Sequence, residues 1–350
     1  PLGKHRATSR AALPLVPAFS LSLSPRRARA LEPAGDPGPL IDVAVGQGHL
    51  ALALAQADMT EAALKRAWPD LEIERKIIRT TGDRRRDVPL SEVARVEHLE
   101  KGVFIKELEI ALEGEEVDVA VHSLKDMPSV LESGFSIAAV LPRAPVADVL
   151  LTRERGGLEA LPAGATVATS SVRRQRLLQW LRPDLRVKDI RGNVPTRIGK
   201  LHRDRSFDGI MLAEAGLRRL GLLEDGVVSS EQWTVHADVL AVETFPPAAG
   251  QGAVALEVRA GDAAAQKLVG AVNHPETMVQ VLAERKFLEL LEAGCETPVG
   301  VFTSVEDDEL RIKAMVFEDG KAEPLVGEVT GPKNKAGALV TRLLSEITRA

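Results

Sequence analysis

Cysteine is nearly absent from this chain of 350 residues, in which Cys295 stands alone. One thiol excludes an internal disulfide framework and any CxxC zinc site. Histidine is sparse too: seven scattered residues form no HExxH pair, so no metal signature is present. No apolar run reaches the roughly 18 residues of a membrane-spanning helix. Positive charge is not in excess either. A formal net charge of -5 argues against a general nucleic-acid coat, while a local basic cleft for small anions stays compatible with it. What is there is an ordinary soluble composition, 45% hydrophobic and 27% charged, long enough for two or three domains with sizeable cores.

One segment lacks acidic residues outright. The first thirty residues contain no Asp or Glu, six Lys or Arg and several Ser, in the manner of an organellar transit peptide. Residues 11–23 also imitate the apolar core of a secretory signal. Residues 1–39 are therefore read as a disordered or targeting-like leader outside the fold.

From Leu40 onward, short β-like runs alternate with amphipathic stretches. Residues 71–78 read as a strand, 101–113 as a helix with Phe104, Leu108 and Leu112 on one face, and 119–121 as a buried strand. Residues 165–169 lead into a helix at 172–181 capped by Ser170 or Ser171, and 208–212 lead into one that ends near Gly221. This alternation predicts α/β layers. After Asn273 the order changes: a long helix to about Ala293, three strand-like runs in 299–329 and a last helix over 335–349 predict an α+β unit. Its turns carry Asp307-Asp308 and Asp319-Gly320, the second a hairpin signal.

Three constellations carry chemistry. In DVAVHSLKDMP, residues 118–128, an apolar run opens into a polar loop with Lys125 beside Asp126, at the kind of strand end where open α/β sheets hold ligands. In TSSVRRQ, Arg173 and Arg174 fall in a first helical turn whose free N–H groups already carry partial positive charge. An anion is expected to compensate them, and a serine-bearing helix start with two guanidiniums suits a carboxylate or phosphate. A lone arginine is usually a surface ion. Here the next unit repeats the arrangement with Arg191 after a strand and Arg197 near a helix start, which predicts a cleft that holds anions. Cys295, in LEAGCETPVG, is the third. A lone cysteine is usually a small buried hydrophobe, yet a loop between Gly294 and Pro298 suits presenting sulfur to a cleft.

Taken in order, KGVFIKELE at 101–109, HSLKDMP, TSSVRRQ, RGNVPTR, AGQGAVALE at 249–257 and AGCETPVG resemble the porphobilinogen deaminase, or hydroxymethylbilane synthase, family over about residues 54–350. The resemblance implies two type II periplasmic-binding-protein-like α/β domains, 40–145 with 243–260 and 146–242. A small α+β C-terminal domain, 261–350, would carry the cysteine. It implies a monomeric transferase without metal, nucleic-acid or membrane partners. That enzyme would condense porphobilinogen stepwise into the linear tetrapyrrole hydroxymethylbilane, with release of ammonia, for porphyrin, haem and chlorophyll biosynthesis. Asp126 would be the acid/base and cation stabiliser, and Cys295 would hold a dipyrromethane cofactor through a thioether. Lys125, Thr169, Ser171, Arg173, Arg174 and Arg191 would contact that cofactor; Lys101, Phe104, Ser170, Arg197 and Gln251 would contact substrate. The expected location is the bacterial cytoplasm, or a plastid should the leader be a working transit peptide.

One departure stands out. Where the family reads Gly-Thr-Arg-x-Ser-x-Leu-Ala, residues 46–53 read GQGHLALA, with Gly48 in place of the arginine and Leu50 in place of the serine. Thr80-Thr81-Gly82-Asp83 likewise departs from Thr-Arg-Gly-Asp. With a guanidinium and a hydroxyl missing, two other readings stand: a weakened or non-catalytic homologue that binds small anions, and a dinucleotide-binding oxidoreductase. The second rests on a GxGxxA pattern at 46–51, with Glu72 and Glu74 about twenty residues on.

Overall fold

The computed structural model describes residues 40–46, 50–78, 105–293 and 297–349. The expectations placed on residues 1–39, Gly48, Thr80 to Asp83, Lys101, Phe104 and Cys295 lie outside the described residues.

Short apolar runs become buried strands. In the first lobe β1 (Leu40–Gly46) pairs in parallel with β2 (Glu72–Ile78) and β3 (Val119–Ser123). α1 (Leu50–Ala67) joins β1 to β2, and α2 (Lys106–Glu113) precedes β3. β4 (Phe135–Val140) joins this sheet through β12 (Val254–Arg259), which is antiparallel to both β3 and β4 and arrives only after the chain has left and returned. The order is β2-β1-β3-β12-β4. Both faces are covered, which explains strands apolar on both sides. Ile41, Val43 and Leu256 pack with Leu64 of α1 and Val269 of α6 (Ala263–Gly270), while Ala44 and Ala120 pack against Leu108 and Leu112 of α2.

The second lobe repeats the plan. Its strands are β5 (Asp148–Thr152), β6 (Thr166–Ala168), β7 (Arg186–Lys188), β8 (Gly209–Ala213), β9 (Leu223–Glu224), β10 (Val227–Ser229) and β11 (Thr234–Val239). They are ordered β7-β6-β8-β5-β11-β10-β9. β5, antiparallel to β8 and β11, takes the place that β12 has in the first sheet. Each lobe thus receives one strand from chain that has just crossed over. α3 (Val172–Leu181), α4 (Val194–Arg203) and α5 (Glu214–Arg219) follow β6, β7 and β8.

The two crossing segments, 141–147 and 240–253, run together: Ala144 N donates to Gly252 O at 3.0 Å. A Cβ on Gly252 would lie 2.4 Å from Ala144 O, and its φ of 84° is left-handed, so only glycine fits.

The third unit is an antiparallel sheet of β13 (Val299–Glu306), β14 (Glu309–Val316) and β15 (Leu325–Pro332). α7 (Pro275–Leu290) and α8 (Ala336–Ile347) cover it through Phe287, Leu339 and Leu343, packed on Val301 and Ile312. α7 stops short of Ala293 because Glu292 turns left-handed at φ 52°. Asp307-Asp308 makes the tight turn, as Glu306 pairs with Glu309. Asp319-Gly320 does not. It lies in a long loop, 317–324, pulled toward the second lobe by Phe317, which is buried beside Leu177 and Leu178. Arg176 of α3 donates to Glu318 O and Lys321 O at 3.0 and 2.6 Å.

The register of the first sheet removes the dinucleotide reading. Gly46, at the carboxyl end of β1, pairs with Ile78, whereas Glu72 pairs with Leu40 at the far end. A ribose-binding acid must lie at the carboxyl ends of the strands, beside the glycine turn. Glu72 is about 20 Å away along a strand of that length, and Glu74 pairs with Asp42 near the same far end.

A buried ionic network joins the third unit to the crossing. Arg143 donates to both oxygens of Glu284 at 2.7 and 2.8 Å and to Gln251 O at 3.0 Å. Glu284 is fully buried and also accepts from Gly250 N at 2.7 Å and Thr303 Oγ1 at 2.6 Å. Removing its charge leaves Arg143 buried without a counter-ion, so Glu284→Gln is expected to lose about 3–5 kcal/mol of stability. Urea unfolding midpoints of the two proteins check this.

Candidate functional site

β3 is paired on both edges, and its end passes directly into one turn of 3-10 helix, Leu124–Asp126. Leu124 and Met127 are buried together with Ala253 and Val281. Leu124 N donates to Ala253 O at 3.1 Å, and a Cβ on Gly250 would lie 2.9 Å from Leu124 Cγ. With its apolar residues anchored inward, the turn presents Lys125 and Asp126 outward, where both are exposed. Beneath it, His122 Nε2 lies 2.8 Å from Glu257 of β12, both buried.

The second lobe brings its arginines to the same place. Ser171 caps α3 by accepting from Arg174 N, which starts the helix at the arginine pair. The compensating anion is a residue of the chain itself. Asp148, fully buried at the start of β5, lies 2.8 Å from Arg173 Nη1 and accepts from Arg174 Nε and Nη2 at 3.1 and 2.6 Å. Burial alone would raise its pKa; Arg173 and Arg174 overcome that and hold it well below the usual carboxylate range. Arg174 also donates from Nη1 to Met211 O at 3.1 Å. Arg173 donates to Pro246 O at 2.7 Å, and its Nε is buried without a partner.

α4 starts at Asn193, whose side chain accepts from Thr196 N at 2.9 Å. Arg197 Nε donates to Gly192 O at 2.6 Å. Burial, then the charges of Arg174 and Arg191, push the Arg197 pKa down to about 10, with Asp126 opposing them. Arg197 and Asp126 therefore feel each other across the lobes. Lys125 belongs to the same group. Lys125 is exposed as a residue, yet the protein packed about its ammonium end lowers its pKa to about 8, Asp126 and Asp148 acting to raise it and Arg174 and Arg173 to lower it. Its Nζ is 3.5 Å from Gln251 Oε1, and Gln251 Nε2 donates to Asp148 Oδ1 at 2.9 Å.

Asp126, Lys125, Gln251, Arg173, Arg174, Arg191 and Arg197 thus gather at one locus. The hydroxyl residues are engaged locally: Ser170 Oγ donates to Ile190 O at 2.9 Å and accepts from Ile190 N at 3.2 Å, and Thr169 Oγ1 accepts from Ser171 N at 3.2 Å. Reading the sequence missed Asp148, whose only local signal is an acid heading the apolar strand DVLLT. It also missed Arg219, which donates to Gly252 O at 2.6 Å and is lowered to about 10 by burial. Cations outnumber carboxylates here, and a buried guanidinium nitrogen lacks an acceptor, so the arrangement suits a small ligand bearing several carboxylates.

Two family models match the chain. "Porphobilinogen deaminase, dipyromethane cofactor binding domain" matches residues 43–267, and "Porphobilinogen deaminase, C-terminal domain" matches 278–349. The porphobilinogen deaminase of Moorella thermoacetica is 41% identical over 310 residues, covering 87% of this chain and 94% of that protein. That of Syntrophobacter fumaroxidans is 40% identical over 274 residues, covering 78% and 84%. That of Alkaliphilus metalliredigens is 40% identical over 291 residues, covering 82% and 87%.

Proposed function

The chain belongs to the porphobilinogen deaminase family, and from that premise we propose how its residues divide the reaction. It is a transferase that condenses porphobilinogen stepwise into hydroxymethylbilane with release of ammonia, using a dipyrromethane cofactor. The observation that carries the residue roles is the meeting of Asp126 with a surplus of cations from the opposite lobe.

Porphobilinogen carries an acetate, a propionate and an aminomethyl group. Each ring therefore brings two carboxylates and one leaving amine. Arg197, Arg191 and Lys125 are assigned to carboxylates, together with Arg173 through its unpartnered Nε. Arg174 contributes charge and holds its neighbours, with three of its five N–H groups engaged by Asp148 and Met211. Asp126 is assigned to the proton of the departing amine and to stabilising the electron-poor, azafulvene-type substrate cation that remains. The exposure of its carboxylate at the end of a rigid strand suits both tasks.

The described cations fit the carboxylates of a dipyrromethane as they fit those of substrate. When bound, that group supplies a nucleophilic pyrrole terminus. Its attachment is assigned to Cys295, the only thiol. The strand that follows Cys295 supports this, because Val301 N donates to Pro247 O at 2.9 Å and ties the start of β13 to the return crossing.

Arg191→Leu and Arg173→Leu each remove a charge-assisted pair worth about 1.5–3 kcal/mol to a bound carboxylate. Both variants are expected to stall after partial elongation, visible as intermediate adduct masses on the intact protein. Elongation at the wild-type rate in both would remove these arginines from the site.

A further inference from the structure

We propose that Asp148 is the positioning residue of this site, a single buried carboxylate that holds Arg173, Arg174 and Gln251 and, through Gln251, the proton-bearing Lys125 beside Asp126. The proposal rests on the functional reading above for the task, though its geometry stands independently. Asp148 is the first residue of β5, where the forward crossing enters the second lobe. Its backbone carbonyl accepts from Leu240 N at 2.9 Å on the return crossing, so both strands of the hinge meet at this residue.

Its side chain works in three directions. Toward α3 it pairs with both arginines. These contacts occupy the Nε–Nη2 edge of Arg174 and one Nη of Arg173, leaving Arg173 Nε unpartnered. Toward the first lobe it accepts from Gln251 Nε2, whose other acceptor is Val146 O at 2.8 Å. With its amide nitrogen committed to two acceptors, Gln251 must direct Oε1 away from them, and that oxygen lies 3.5 Å from Lys125 Nζ. One carboxylate therefore sets the orientation of a glutamine that faces the lysine next to Asp126.

The charges around Lys125 explain why this placement matters. Asp126 stands on its own turn, Asp148 on β5, and Arg173 and Arg174 on α3. The two arginines disfavour a protonated lysine, and the two aspartates favour it. Without Asp148, the arginines act on Lys125 unopposed from that side. Removal of its charge therefore lowers the pH at which Lys125 loses its proton.

The test is the pH dependence of amine labelling at Lys125 in the full-length protein, read by peptide mass spectrometry, beside porphobilinogen turnover. Asp148→Asn keeps size and an acceptor oxygen but removes the charge. Its Lys125 labelling midpoint is expected to move down by about half a pH unit or more, and its turnover to fall by about 100-fold. Asp148→Glu keeps the charge and displaces it; its midpoint should stay near that of the wild type while turnover still falls. An unchanged midpoint in a folded Asp148→Asn protein would reduce Asp148 to a structural counter-ion. If Asp148→Asn fails to fold, wild-type turnover in Asp148→Glu overturns the proposal. Labelling requires no substrate, so a wild-type protein that does not turn over porphobilinogen would count against the functional reading alone.

Discussion

Cys295→Ala leaves the intact protein at the mass of its polypeptide and abolishes condensation. No other thiol exists to form the thioether, so nothing in the chain substitutes for it. The loss is expected to be complete rather than graded. A second effect follows from the electrostatics of the cleft: Arg173, Arg191, Arg197 and Lys125 are left facing one another without the cofactor's carboxylates. A ligand that binds only the folded state stabilises it, so the variant should also melt below the cofactor-bearing wild type. Intact-mass and thermal measurements on both proteins suffice. A Cys295→Ala protein that still carries the adduct mass, or still makes tetrapyrrole, removes Cys295 from the mechanism.

Asp126→Asn retains substrate binding and slows ammonia release by about 100-fold or more, the usual scale for losing an acid/base group. The substitution keeps the size of the side chain, and Leu124 and Met127 keep the turn in place, so geometry is preserved while charge and the exchangeable proton are lost. Asp126→Glu should fall between the amide and the wild type. The lysine beside it gives a further sign. Asp126 raises the pKa of Lys125, so in the amide variant Lys125 should become neutral at a lower pH than in the wild type. Single-turnover ammonia release with substrate binding measured separately isolates the chemical step. Wild-type release from the amide variant would make Asp126 a loop residue.

Much of the site was readable along the chain because its signals are local. A serine before two arginines marks a helix start at any depth in a protein, and α3 begins there with Ser171 as its cap. HSLKDMP was readable as a strand end, and the structure places the Lys-Asp pair on the turn after β3. The helices and strands of the third unit were legible from their periodicity, since α7, α8 and β13 to β15 lie in sequence order. The hairpin signalled at Asp319-Gly320 does join β14 to β15, but through a longer loop, because the segment answers to a distant contact: Phe317 buries in the second lobe's core, and the loop follows it.

The sequence by itself determined the alternating α/β elements and the residue types at each strand end. Tertiary structure decided which charge meets which. The arginine pair was expected to be compensated by an anion, and the chain itself supplies one in Asp148, 26 positions from Arg174. Gln251 reaches Asp148 across 103 positions, and Arg143 reaches Glu284 across 141. The insertion of β12 into the first sheet and β5 into the second belongs to the same class. Caps and periodicity depend on neighbours within a turn or two, where chain geometry leaves few choices. Pairings across a double crossing depend on how whole sheets stack, and burial then selects the partners, because an unpaired charge inside the protein is far costlier than one left in water.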